Sequence, residues 1–368
     1  MTYELLATDV RSAARRGRLR TPHGVVETPV FMPVGTQATV KAMTPRELEE
    51  LGVQILLGNT YHLNLRPGMG VVRAAGGLHR FMAWDGAILT DSGGYQVFSL
   101  SQLRRVTPEG VHFQSHVDGA ALFLGPREAM AIQRDLGSDI AMCFDECTPY
   151  PATQAEACQS MELTLRWARI CRDEEPAAGQ QVFGIVQGGV HDALRRECAE
   201  RLAAMRFDGY ALGGLSVGEP AGEMYRILET TTPRLPAGQP RYLMGVGTPP
   251  QIVEAVARGI DLFDCVLPTR MARNGAAFTA RGVLSVKAAR FKDDLSPIEA
   301  GCGCYACTHF TRAYIRHLIN VNEILAARLM TTHNLHFYLG LMGDIRRHLE
   351  SGTFQAFRQS FVAGYGQP

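Results

Sequence analysis

The chain has 368 residues, 37 Lys and Arg against 36 Asp and Glu for a net charge of +1, and 46% hydrophobic residues. That usage excludes wholesale disorder, and the near-zero charge argues against a protein that coats nucleic acid or anionic membrane through bulk charge. An odd number of cysteines, nine, with no apolar leader core and no apolar run of about 18 residues, points to a reducing, cytoplasmic setting without a membrane span. In chain order, short apolar runs ending in Gly, Asp, Asn or Gln recur at 53–59, 87–91, 139–145, 182–187, 209–214, 242–247 and 261–266. Runs this short and this continuously apolar suit strands buried on both faces, as in a parallel sheet. Helical patterns lie between them. The first, 45–51, follows Thr44 with Glu47 three positions on, a capping box with Pro45 at the first helical position. Others cover 126–136, 155–172, 193–205, 221–230 and 250–258. About seven such alternations predict an α/β fold, a (β/α)8 TIM-type barrel whose strand-end polar residues gather on one face. The texture changes after residue 290. The expected division is a barrel with an N-terminal extension over 1–290, a Cys-rich subdomain over 291–340, and a C-terminal helix over 341–368 packing back on the barrel.

Cys302, Cys304 and Cys307 fall in the run GCGCYAC at 301–307. Thiolates at this spacing fit three corners of a zinc tetrahedron, with glycines allowing the tight turn. His309 is too near to fold back, whereas His317, His333 and His336 are available. His333, on a helical pattern after 318–330, is the preferred fourth ligand. Four protein ligands close the shell, so one Zn2+ here is structural rather than catalytic.

Asp91 and Asp264 stand at the ends of different predicted strands. A buried carboxylate pair can split glycosyl transfer into two steps, one residue attacking the anomeric carbon and the other shuttling the leaving group's proton. Asp145, followed by Glu146, ends another strand, and Gln187 and the Gly213–Gly214 pair end the next two. A carboxylate, an amide and a free N–H complement the edge of guanine: N1–H and the amino group on Asp145, O6 on Gln187 and Gly214. Paired glycines also suit a phosphate cradle, which Asp145 would repel. Tyr95 and Met244 are placed to sandwich a flat ring.

The motifs DSGGYQVFSL (91–100), DECTPY (145–150), GIVQGG (184–189), GGLSVGE (213–219), YLMGVGTP (242–249) and GIDLFDCVLPTR (259–270), with CxCxxC and a distant His, resemble bacterial tRNA-guanine transglycosylase, the queuine tRNA-ribosyltransferases. So does the stretch 17–45, and the resemblance covers nearly the whole chain. It implies a zinc-containing barrel enzyme, a pentosyltransferase that exchanges the anticodon wobble guanine of tRNA for a 7-deazaguanine base, an early step of queuosine modification. It further implies Asp264 as the nucleophile that forms a covalent ester with the ribose, and Asp91 as general acid/base. Asp145, Gln187, Gly214 and Leu215 match base-recognition positions, Tyr95 and Met244 the stacking pair, and His333 the fourth zinc ligand. Cys147 and Val217 match the bacterial form, which uses 7-aminomethyl-7-deazaguanine; Glu219 and the Leu215 carbonyl would face its aminomethyl cation. The implied partners are tRNAs with GUN anticodons (Asp, Asn, His, Tyr) and a second copy of the chain in a homodimer.

RNA contact needs local positive charge. Six basic residues and no acid occur between Arg270 and Lys292; Arg270, Arg273, Lys287 and Lys292 are the expected RNA contacts, the first two also by resemblance. A second cluster, Arg11, Arg15, Arg16, Arg18 and Arg20, carries no assigned role.

Overall fold

The structure, a computed structural model, describes residues 2–100 and 104–366. Its main sheet has nine strand segments, all parallel in their pairings, and the two edge segments belong to one stretch of chain. Val30–Met32 pairs with Leu262–Asp264 on one side, and Val34–Gly35 with Ile55–Gly58 on the other. Pro33, between them, has no N–H to give to a ladder, so the strand changes neighbours there. The sheet's two ends are thus one strand, and the segments close into an eight-stranded barrel.

After this first strand come Ile55–Gly58, Ala87–Thr90, Ile140–Met142, Gln181–Val186, Gly209–Leu212, Arg241–Leu243 and Leu262–Asp264. Side chains alternate across the pleat between two apolar environments. Val30, Met32, Ile55, Leu57, Leu89, Met142, Phe183 and Ile185 fill the barrel interior. Phe31, Leu56, Ile88, Ala141, Val182 and Val186 face the surrounding helices. With both faces buried, no polar alternation survives in the sequence, which is why the runs read as continuously apolar.

The capping box at Thr44 forms: Thr44 Oγ1 accepts from the Glu47 N–H at 3.3 Å and Glu47 Oε2 accepts from the Thr44 N–H at 2.8 Å. The helix Gln154–Asp173 starts the same way on Thr153 and Glu156. An antiparallel sheet of Tyr3–Thr8, Arg15–Thr21 and Gly24–Thr28 stops the lower end of the barrel, with Tyr3, Leu19 and Val26 joining its interior core. Four of the five unassigned N-terminal arginines are paired here. Arg15 pairs with buried Asp261, Arg16 with Glu27 and Glu350, Arg18 with Glu27 and Arg20 with Glu4.

At the other end of the chain, the hairpin Ala276–Thr279 with Gly282–Ser285, the short helix Tyr305–His309 and the helix Arg312–Asn320 enclose a separate small core. That core includes Ala272 and Ala277, so the unit draws on chain before residue 291. The helix Ile324–Glu350 runs unbroken, and the boundary expected at 340/341 falls inside it. Its first half packs on the small core and its second half on the barrel, where Leu335, Tyr338 and Ile345 are fully buried. No helix among the described residues is long and apolar enough to cross a membrane.

Candidate active site and metal centre

Several barrel strands stop before the apolar runs do, at Thr90, Met142, Val186, Leu212 and Leu243. Asp91, Asp145, Gln187, Gly214 and Met244 therefore sit on loops at the C-terminal mouth, with Asp264 the last residue of its strand. They line one cavity of about 530 Å³, together with Tyr95, Cys147, Leu215, Val217 and Arg270. Glu219 is off that wall. Its carboxylate accepts the Ser216 N–H and, at 3.0 Å, the Val217 N–H, and so holds the loop from behind.

The two candidate catalytic carboxylates are held differently. Asp91 Oδ1 accepts the Thr60 N–H at 2.9 Å, and Oδ2 accepts from Asn59 Nδ2 and, at 2.7 Å, from Gln96 Nε2. Burial, aided by the nearby charge of Asp264, still pushes its carboxyl up to about 6 against those stabilising bonds. Asp264 Oδ1 accepts from the Tyr242 hydroxyl at 2.6 Å and the Gly245 N–H at 2.7 Å. No other residue among those described donates to its second oxygen, and burial raises this carboxyl as well.

At the recognition end, Asp145 Oδ2 accepts from Gln187 Nε2 at 2.7 Å, and burial pushes Asp145 up to about 6. Gln187 Oε1 is buried without a partner. Gly214 has φ +64°, and a Cβ there would lie 2.5 Å from Gln187 Oε1, so the loop can approach the amide only as glycine. Tyr95 is half exposed and Met244 half buried at the rim. Both were expected against a flat ring, and both line the same cavity.

Away from this mouth, Cys302, Cys304, Cys307 and His333 bring four ligand atoms within 4.8 Å of one another. The three sulfurs lie 3.8, 3.6 and 3.3 Å from His333 Nδ1. His333 Nε2 is 2.8 Å from the Phe278 carbonyl, which fixes the tautomer with its proton on Nε2 and leaves the Nδ1 lone pair for a metal. Three thiols and an imidazole with its outer nitrogen satisfied fit a tetrahedral zinc shell, with no position left for substrate. His317 and His336, the alternatives, are outside the set.

Arg270 lines the cavity mouth and shares the helix Leu267–Arg273 with Arg273. Lys287 and Lys292 are exposed and do not line that cavity. The supporting residues Asn59, Thr60, Gln96, Tyr242 and Gly245 were not singled out by sequence. Asn59 alone carried a signal, as the polar residue ending a predicted strand.

A family model described as queuine tRNA-ribosyltransferase matches residues 9–367. The queuine tRNA-ribosyltransferase of Caldanaerobacter subterraneus subsp. tengcongensis is 57% identical over 364 residues, covering 99% of this chain and 97% of that protein. That of Thiobacillus denitrificans is 58% identical over 363 residues, 99% and 98% of the two chains. The Azotobacter vinelandii protein of the same name is 56% identical over 371 residues, 100% and 99%. The carboxylate-lined barrel mouth, the separate Cys3His cluster and these full-length matches agree, and the chain belongs to the queuine tRNA-ribosyltransferase family.

Proposed function

We propose that the protein exchanges the wobble guanine of GUN-anticodon tRNAs for 7-aminomethyl-7-deazaguanine by covalent double displacement. The unequal bonding of the two mouth carboxylates carries this reading. Asp264 has one oxygen fixed by Tyr242 and Gly245 and the other free to attack C1′ of the ribose. The guanine leaves as that ester forms. Asp91, held on both oxygens and pushed up to about 6, can carry a proton near neutral pH. It gives that proton to the departing base, takes one from the incoming base, and the incoming ring nitrogen then displaces Asp264.

Asp145 accepts the N1–H and 2-amino donors of the base. A glutamine amide has two N–H donors; Asp145 takes one from Gln187, and the second joins the Gly214 N–H on O6. Tyr95 and Met244 cover the ring faces, while Cys147 and Val217 bound the space for the 7-substituent. The Leu215 carbonyl meets the aminomethyl cation directly; Glu219 serves through the loop it holds.

A structural zinc on Cys302, Cys304, Cys307 and His333 would tie the small core to the long helix, supplying cross-linking and no chemistry. Arg270, Arg273, Lys287 and Lys292 extend from the cavity mouth as an RNA-phosphate track. A homodimer, and a cytoplasmic setting in keeping with nine unpaired cysteines, complete the proposal. The test is tRNA carrying labelled wobble guanine, incubated with protein and the deazaguanine base. Release of label is expected, and retention by folded protein overturns the reading.

A further inference from the structure

Arg195 is on the helix Asp192–Ala204, which follows the fifth barrel strand, and its side chain is fully buried. Of the other buried arginines, Arg15 sits on Asp261 and Arg16 on Glu27 and Glu350, while Arg241 gives its side chain to the Leu235 carbonyl beside Asp261. Arg195 has three carbonyls instead. Nε donates to Gly189 at 2.7 Å, Nη1 to Val186 at 2.8 Å, and Nη2 reaches Gly214 at 3.5 Å. These carbonyls bracket Gln187 and end at Gly214, the two residues that face one end of the cavity.

A guanidinium is a costly way to cap carbonyls. Burial without a carboxylate partner pulls its pKa down to about 10, and the carboxylate that acts on it by charge, Glu219, already accepts backbone N–H groups. The placement has a use if the cation matters to the cavity. Asp145 and Gln187 are hydrogen-bonded on the cavity wall, and Arg195, behind that wall, holds the carbonyls on either side of Gln187 and that of Gly214, so an anion and a cation flank the Gln187 amide. The edge of guanine has the matching polarity, donors at N1 and the 2-amino group and an acceptor at O6.

We propose that Arg195 is a positioning residue that sets selectivity for the 6-oxo group of the base. By holding the Val186, Gly189 and Gly214 carbonyls, it turns them away from the cavity and keeps the Gln187–Gly214 side electropositive and rich in donors. The inference rests on the base-exchange reading above.

The test measures dissociation constants of the full-length, zinc-loaded protein for guanine, 2-aminopurine (neither the 6-oxo group nor the N1–H) and hypoxanthine (no 2-amino group, N1–H kept). In Arg195→Met the preference for guanine over 2-aminopurine is expected to fall about tenfold, one charge-assisted hydrogen-bond equivalent. The preference over hypoxanthine, set by Asp145, should stay within about twofold, a split that general loosening of the fold would not produce. Arg195→Lys keeps the cation without the fork and should lose about threefold in the first ratio alone. It decides the matter if Arg195→Met does not fold. Ratios that stay at wild-type values, or that fall together, in a folded variant overturn the proposal. Wild-type protein that binds guanine no better than either analogue overturns the base-exchange reading, and this proposal with it.

Discussion

Asp91 and Asp145 are carboxyls that the fold keeps from water without giving either an arginine or lysine partner, and stability should record that. Each is raised from 3.8 to about 6 on folding, so its favourable contribution is complete below about pH 4 and is lost as the pH rises through 6. Asp91→Asn removes that dependence. Its stability relative to wild type is expected to move in the variant's favour by up to roughly 3 kcal/mol between pH 4 and pH 8. Urea denaturation across that range checks this, and a pH-independent difference would refute it. Gly214→Ala forces a Cβ toward Gln187 Oε1 at a backbone angle of +64°. Base affinity should fall at least about tenfold by calorimetry, with no more than about 2 kcal/mol lost from the fold. Tyr242→Phe removes one of the two donors that aim Asp264. Single-turnover adduct formation should slow about tenfold while the affinity for free base holds.

Among the elements, the barrel strands were legible because both their faces are buried, which leaves short, uninterrupted apolar runs. The first strand was not, because Pro33 divides it into pieces too short to register. The N-terminal sheet was hidden for the opposite reason. Arg15–Thr21 carries arginines on nearly every face, and only folding shows Glu4, Glu27, Asp261 and Glu350 meeting them. The polar strand ends gave the site, since a hydrophilic residue closing an apolar run has few places to go but the mouth. Tyr242 and Arg195 were illegible because a tyrosine in an apolar run looks like core and an arginine in a helix looks like surface. The Cys3His cluster was legible from spacing for its thiols, while its histidine depends on how the Ile324–Glu350 helix folds back. If zinc ties these pieces together, chelation should speed amide exchange in Tyr305–His309 and in the hairpin Ala276–Ser285. The strands Gln181–Val186 and Gly209–Leu212 should keep their protection. Uniform loss of protection would show that the metal holds the barrel as well.

For the molecule as a whole, a net charge of +1 means that the proposed RNA binding rests on local rather than overall charge. Arg270, Arg273, Lys287 and Lys292 are exposed and start at the cavity mouth. If they meet four phosphates of a single-stranded loop, log affinity should fall with log salt at a slope near −3. Lys287→Ala should flatten that slope by about 1 and leave base binding untouched. The proposed base exchange passes the ribose through Asp264. Wild-type protein and Asp264→Asn should each be mixed with anticodon-loop RNA, quenched in denaturant and weighed by mass spectrometry. Wild type should carry the RNA less its guanine, and Asp264→Asn should carry none. An adduct of the same mass on Asp264→Asn, or guanine exchange by wild type with no adduct at any time point, would contradict the assignment.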